Sequence, residues 1–174
     1  MTSQSVHGID PDARGVSDAL SQLLKSGGTL GDAYWGTTVD EREALYCMGH
    51  GLYEQGRYSD AFKVFSLLVM QDHLEPRYVF SLGCSCQMLE RYTDALQHYM
   101  VAAVSWVEDP RPILHAAECL IAMSRFPEAR DSLALVLEMC ADDPQGPAFM
   151  RAQVLRLALE RKQSTKNGAS DDGL

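Results

Sequence analysis

Apolar residues recur along this chain at three- and four-residue steps. Leu45, Met48 and Leu52 form one set, Val79 and Leu82 a second, and Ile113, Ala116 and Leu120 a third. That spacing draws one apolar stripe down a helix. Two further amphipathic helices flank these. Residues 13–26 carry Val16, Leu20, Leu23 and Leu24 on one face and end at Gly27-Gly28, where glycine accepts a left-handed cap. Residues 148–161 present Met150, Val154, Leu157 and Ala158. Thr38-x-x-Glu41 is a capping box for the first of the central helices. Ser59 and Thr93 are expected as N-caps further on, and Pro127 fits the start of another helix. The polar stretches 1–12 and 163–174 are expected to be flexible.

The helices repeat as units. Arg57, Arg91 and Arg125 lie 34 residues apart, as do Tyr58, Tyr92 and Phe126, and Ala61, Ala95 and Ala129. The acidic-proline pairs Glu75-Pro76, Asp109-Pro110 and Asp143-Pro144 keep the same step. Four columns sharing one period match the tetratricopeptide repeat, a helix–turn–helix unit of that length. The leading Trp of its pattern is missing throughout, and Ala117 stands where glycine is usual. Gly49, Gly83 and Ala117 are small enough for a partner helix to come close. The predicted fold is all-α: a superhelical array of three such repeats, about 42–75, 76–109 and 110–143. An N-terminal amphipathic helix precedes it, and a C-terminal capping helix at about 147–162 closes a single domain over 13–162. The acidic residue before each proline is expected to cap or to complement the dipole of the helix that follows.

Composition narrows the function classes. The chain has 174 residues, with 15 Lys and Arg against 24 Asp and Glu, a net charge of −9. That balance argues against a nucleic-acid partner, which needs clustered cations. A membrane span takes about 20 consecutive apolar residues, and the best run, 101–107, is broken by Ser105. Residues 1–8 have neither the cationic start nor the apolar core of a secretory signal. Five cysteines, an odd number with no CxxC pair, fit reduced thiols in a cytoplasm.

Chemistry is sparse. The phosphate-binding, nucleophile-elbow, zincin and dinucleotide patterns are all missing from the sequence. Cys84 and Cys86 point about 200° apart on a helix. His115 with Cys119 offers two ligands, too few for a structural zinc site. His50 with Glu54 reads as a surface hydrogen bond or a groove contact. We expect no catalytic residue, metal or cofactor. In tetratricopeptide arrays the first helix of each repeat lines the concave surface. Its inward positions are Glu43, Tyr46, His50 and Tyr53, then Arg77, Phe80, Cys84 and Gln87, then Arg111, Leu114, Glu118 and Ile121. This mixture of aromatic, aliphatic and polar groups suits an extended apolar peptide whose backbone also needs hydrogen bonds.

Longer segments are more specific. Gly27-Gly28-Thr29-Leu30 follows the first helix. The first repeat runs from Leu45-Tyr46 through Tyr53-Glu54-Gln55-Gly56-Arg57-Tyr58 to Ala61. Asp72-His73 precedes the second repeat, and Pro110-Arg111-Pro112 leads into His115-Ala116-Ala117-Glu118-Cys119-Leu120. Over about residues 13–160 the chain resembles the class II chaperones of bacterial type III secretion, which escort hydrophobic translocator proteins. The resemblance implies a non-enzymatic protein of the bacterial cytoplasm that keeps its client soluble and export-competent. It implies a client segment in the groove at Tyr46, His50, Tyr53, Phe80, Cys84 and Gln87, with Arg77, Arg111, Leu114 and Glu118 as further contacts. His50 departs from an aromatic residue common in relatives. The resemblance also implies a homodimer through Val16, Leu20, Leu23 and Leu24, which otherwise would cap the array in a monomer. Some members of the family partner a transcriptional activator, so a regulatory scaffold is the alternative reading. Direct insertion of this chain into a membrane is not expected.

Overall fold

The structure, a computed structural model, describes Lys25 and residues 37–168, with side chains to 162. The proposed first helix at 13–26, with Val16, Leu20, Leu23 and Leu24, and the N-terminal stretch 1–12 lie outside the described residues. Seven helices run through the described part, and no strand occurs among those residues. They are α1 (Val39–Glu54), α2 (Tyr58–Gln71), α3 (Pro76–Met88), α4 (Tyr92–Ser105), α5 (Arg111–Ala122), α6 (Phe126–Met139) and α7 (Pro147–Gly168). Each helix packs chiefly on the next in sequence, as a stacked array requires.

The 34-residue columns explain the packing. Ala61, Ala95 and Ala129 are fully buried, and so, four residues on, are Phe65, Tyr99 and Leu133. A Cβ added at Gly49 would lie 2.8 Å from the Phe65 ring, and one at Gly83 would lie 2.9 Å from the Tyr99 ring. Where the third repeat carries Ala117, the facing residue is Leu133. Glycine thus pairs with an aromatic ring and alanine with a leucine, which accounts for the departure from the usual pattern. Ala117 is itself fully buried.

The turn inside each repeat is also shared. Gly56, Glu90 and Ser124, again 34 apart, have φ values of 75°, 58° and 61°. In each case the next backbone N–H, on Arg57, Arg91 or Arg125, reaches back to the carbonyl of Leu52, Cys86 or Leu120. This is a Schellman close of the first helix. The same arginine then begins the second helix. Arg57 bonds Asp60, Arg91 bonds Asp94 and Arg125 bonds Glu128. The expected caps Ser59 and Thr93 are therefore corrected. The helices begin at Tyr58 and Tyr92 after the arginines, and no side chain caps them. The Schellman turn leaves the arginine at the cap position, two residues ahead of Ser59 or Thr93.

Thr38 and Glu41 form the expected capping box. Glu75 caps α3 with Pro76 first in the helix. Asp109 accepts the Arg111 N–H from one residue further out, because Pro110 holds the cap position. Asp143 sits in a turn, and α7 begins only at Pro147. That helix runs to Gly168, past the expected end at 162.

The expected face of α7 is also corrected. Ala152 and Leu159 are buried, with Ala148 and Leu155 packed beside them, whereas Met150, Val154 and Leu157 are exposed. Two apolar stripes compete on this helix, and the one with small alanines fits closely against α6. Met48 differs from its column partners too. Leu82 and Ala116 are covered by the preceding repeat. Met48 is 50% exposed, since no repeat precedes it among the described residues.

Candidate functional site

The first helices of the repeats place their side chains in one concavity. Tyr46, His50 and Tyr53 lie at i, i+4 and i+7 on α1, hence on one face. Arg77, Phe80 and Cys84, at i, i+3 and i+7, share one face of α3, and Arg111 opens α5. These seven expected groove residues line a single cavity of about 280 Å³. Phe65 of α2 also lines it, as do Ser81 and Trp106.

Aromatic contacts hold the cavity walls. The Tyr46 ring lies 5.9 Å from Phe65 and 5.6 Å from Tyr78, between ring centroids. Phe80 lies 5.6 Å from Tyr99, 5.8 Å from Trp106 and 5.4 Å from His115. Rings at these separations and tilts are mutually favourable and restrict one another's rotamers. Two guanidinium groups complete the wall. Arg77 lies over Tyr46 at 5.2 Å, and Arg111 lies 5.7 Å from Phe80 and 5.3 Å from Trp106. Arg77 is also hydrogen-bonded to Glu75 and Glu43, which raises its pKa further and keeps it cationic.

His50 sits at the cavity's exposed rim. Its Nδ1 is 3.4 Å from Glu54, so the i, i+4 contact expected from the sequence is present. Burial pushes the Tyr53 hydroxyl up to about 12. Burial likewise pushes the Cys84 thiol up to about 11 and Cys119 to about 12. Among the described residues no group of three His, Cys, Asp or Glu side chains could hold a metal ion.

Gln87 and Glu118 are brought together beside the cavity, not within its lining. The Tyr99 hydroxyl donates to Gln87 Oε1 at 2.6 Å, and Gln87 Nε2 donates to Glu118 Oε2 at 3.0 Å. His115 Nδ1 lies 3.2 Å from that same Gln87 oxygen and 3.4 Å from Glu118 Oε2. Facing two acceptors, this nitrogen carries its proton. Arg151 of α7 donates to the other Glu118 oxygen at 2.7 Å. Burial opposes the Glu118 charge, but hydrogen bonds from His115, Gln87 and Arg151 prevail and hold its pKa at about 2. Glu118 is thus engaged by three partners within the chain.

Leu114, a further expected groove contact, is also outside the cavity lining. It is 7% exposed and belongs to the core formed with Ala117, Leu120 and α6. Ile121 packs against the same core. Trp106 and Phe65 escaped sequence reasoning. Phe65 lies on a second helix, whose residues repeat reasoning assigns to the core. Trp106 falls in register with Asp72 and Cys140, so no column marks it. Its one signal was a tryptophan just ahead of the Asp109-Pro110 pair.

Comparisons with known proteins agree with this fold. The tetratricopeptide repeat family model matches residues 76–104. The chain is 35% identical to low calcium response locus protein H of Yersinia pseudotuberculosis over 127 residues, 73% of this chain and 75% of that one. Among solved structures, a type III secretion complex from Aeromonas hydrophila matches with a TM-score of 0.78 and 28% identity, covering 84% of this chain and 98% of that chain. The type III secretion chaperone SycD of Yersinia enterocolitica, crystallised with a peptide of the translocator YopD, matches with a TM-score of 0.68 and 33% identity. That match covers 72% of this chain and 97% of SycD. With three stacked helical repeats, an aromatic groove and these relatives, the chain belongs to the tetratricopeptide-repeat translocator chaperones of type III secretion.

Proposed function

We propose that this protein holds an extended segment of a hydrophobic translocator in its concave groove, with an apolar side chain seated among Tyr46, Phe80 and Trp106. The observation that carries this reading is the convergence of seven groove positions from three repeats on one aromatic-walled cavity. A cavity of about 280 Å³ accommodates one aliphatic or small aromatic side chain and leaves the neighbouring client residues on the open surface. The relative SycD, bound to a translocator peptide, supports the same class of client. Such a client is held before export, which places the protein in the bacterial cytoplasm.

The role is binding without catalysis. Cys84 and Cys119 titrate at about 11 and 12, so both thiols stay protonated at neutral pH and make poor nucleophiles. Glu118, the one strongly acidified carboxyl beside the groove, is committed to Gln87, His115 and Arg151. A second copy of this chain is a further expected partner, through the sequence face of Val16, Leu20, Leu23 and Leu24.

The test is co-expression with a translocator from the same secretion system, followed by binding measurements on the purified complex. Tyr46→Ala with Phe80→Ala removes two walls and should weaken the complex about tenfold or more, as loss of clustered aromatic anchors does. A helical circular dichroism spectrum like wild type shows that the array is intact. Client binding unchanged in a folded double mutant would overturn the groove reading.

A further inference from the structure

We propose that Arg111 reads a carboxylate on the client next to the apolar side chain in the cavity, so that the groove selects an apolar–acidic pair. The inference rests on the groove reading above and adds a chemical requirement to it.

Two arginines wall the cavity, and their hydrogen bonding differs. Arg77 is saturated. Both of its terminal nitrogens meet Glu43, at 3.4 and 3.2 Å, and Nε meets Glu75 at 3.1 Å. Arg111 meets Asp109 through Nε and Nη2, and Nη1 carries no hydrogen bond among the described residues. The Arg111 side chain is 58% exposed, so that edge is open to a ligand.

Its position is fixed. The guanidinium rests against Phe80 and Trp106, the rings that wall the cavity. An exposed ion pair usually gains little because both long side chains must be ordered to form it. Here the rings and Asp109 have already ordered the cation, and arginine keeps its charge at any working pH. An apolar client side chain packed on Phe80 therefore brings the adjacent client residue alongside Nη1.

The groove's other charges give this preference a direction. Glu43 and Glu75 are both taken by Arg77, and Glu118 by Gln87, His115 and Arg151. Glu54, beside His50 on the α1 rim, is an exposed carboxylate. A client acid is repelled at that end and attracted at the Arg111 end. The acidic residue accordingly lies on one side of the apolar anchor only.

The probe is a set of short peptides, acetylated and amidated so that no terminal carboxylate is present. Each has one leucine in a serine–alanine background, with Glu, Gln or Lys placed at successive positions on either side. Titration against the full chain should show Glu preferred to Gln by about three- to tenfold on one side of the leucine, the range of a charge-assisted hydrogen bond at a half-exposed site. Lys should bind worst. Arg111→Gln should level the Glu and Gln peptides. Equal affinity for Glu and Gln in wild type, or a preference that survives Arg111→Gln, overturns the proposal. Salt gives a reading that needs no variant: the wild-type Glu-to-Gln ratio should fall toward one in concentrated NaCl, and a constant ratio counts against an ion pair. A leucine peptide that binds no better than its serine counterpart overturns the groove reading itself, a different result from an absent acid preference.

Discussion

At the level of single residues, two glycines of α1 make opposite demands. Gly49 faces the buried Phe65 ring, and a Cβ there would stand 2.8 Å from Cε1. Phe65 is 1% exposed and has no room to retreat. Gly51, two positions on, has nothing within 4 Å of an added Cβ. Gly49→Ala should destabilise the protein by about 1–3 kcal/mol, the usual cost of overpacking. Gly51→Ala should stabilise it by about 0.5–1 kcal/mol through helix propensity. Chemical denaturation of the two variants checks both signs, and a shift in the same direction for both would refute the packing account. Glu118 makes a pH-dependent demand. Its folded-state pKa of about 2 lies below the ordinary value of 4.5. A depressed carboxyl contributes stability above the unfolded pKa and loses it as pH falls through the folded one. Glu118→Gln should therefore melt below wild type at pH 7, by the equivalent of about 1–2 kcal/mol. The gap should close as pH falls from about 4.5 toward 2. A gap that stays constant over that range would mean that the charge contributes nothing.

At the level of elements, the chain is most legible where one geometric requirement recurs three times. Ala61, Ala95 and Ala129 sit at the same tight crossing, and Arg57, Arg91 and Arg125 at the same corner, so period and spacing alone exposed them. Features that occur once left no such trace. Trp106 stands in register with Asp72 and Cys140. Arg151 reaches Glu118 only because α7 folds back against α5. The α7 face was misjudged because both of its stripes are apolar, and closeness of fit decided between them. Leu114 was assigned to the groove by position number, although its neighbours Ala117 and Leu120 are buried on the same side. The Schellman turns show a recurring demand met unequally. Gly56 takes the left-handed conformation freely, while Glu90 and Ser124 adopt it with a Cβ. Glu90→Gly or Ser124→Gly should each stabilise the array by about 0.5–1 kcal/mol, the relief of left-handed strain less the added entropy of glycine. Melting temperatures that fall instead would show that the side chains contribute more than the strain costs.

At the level of the whole molecule, the array has, among the described residues, a covered end and an open one. The α7 helix closes the far side, burying Ala152 and Leu159 against α6. On the near side α1 leaves Met48 half-exposed, in a column where later repeats are covered, and Val39 is 70% exposed. An apolar end of this kind in an array with a net charge of −9 needs a partner. The sequence offers a candidate just upstream, outside the described residues: Val16, Leu20, Leu23 and Leu24, spaced as one helical stripe would space them. That stripe can cover its own α1 or join a second copy, and the two arrangements respond differently to charge. Leu20→Asp with Leu24→Asp should convert a dimer to a monomer, as read by sedimentation at micromolar concentration. Affinity for an extended client segment should stay within about twofold, because the cavity walls belong to α1, α2, α3, α5 and Trp106. Met48→Asp should have the same effect on mass if the stripe of one copy rests on α1 of the other. A double mutant that keeps the dimer mass, with Met48→Asp equally silent, would place the interface elsewhere on the molecule.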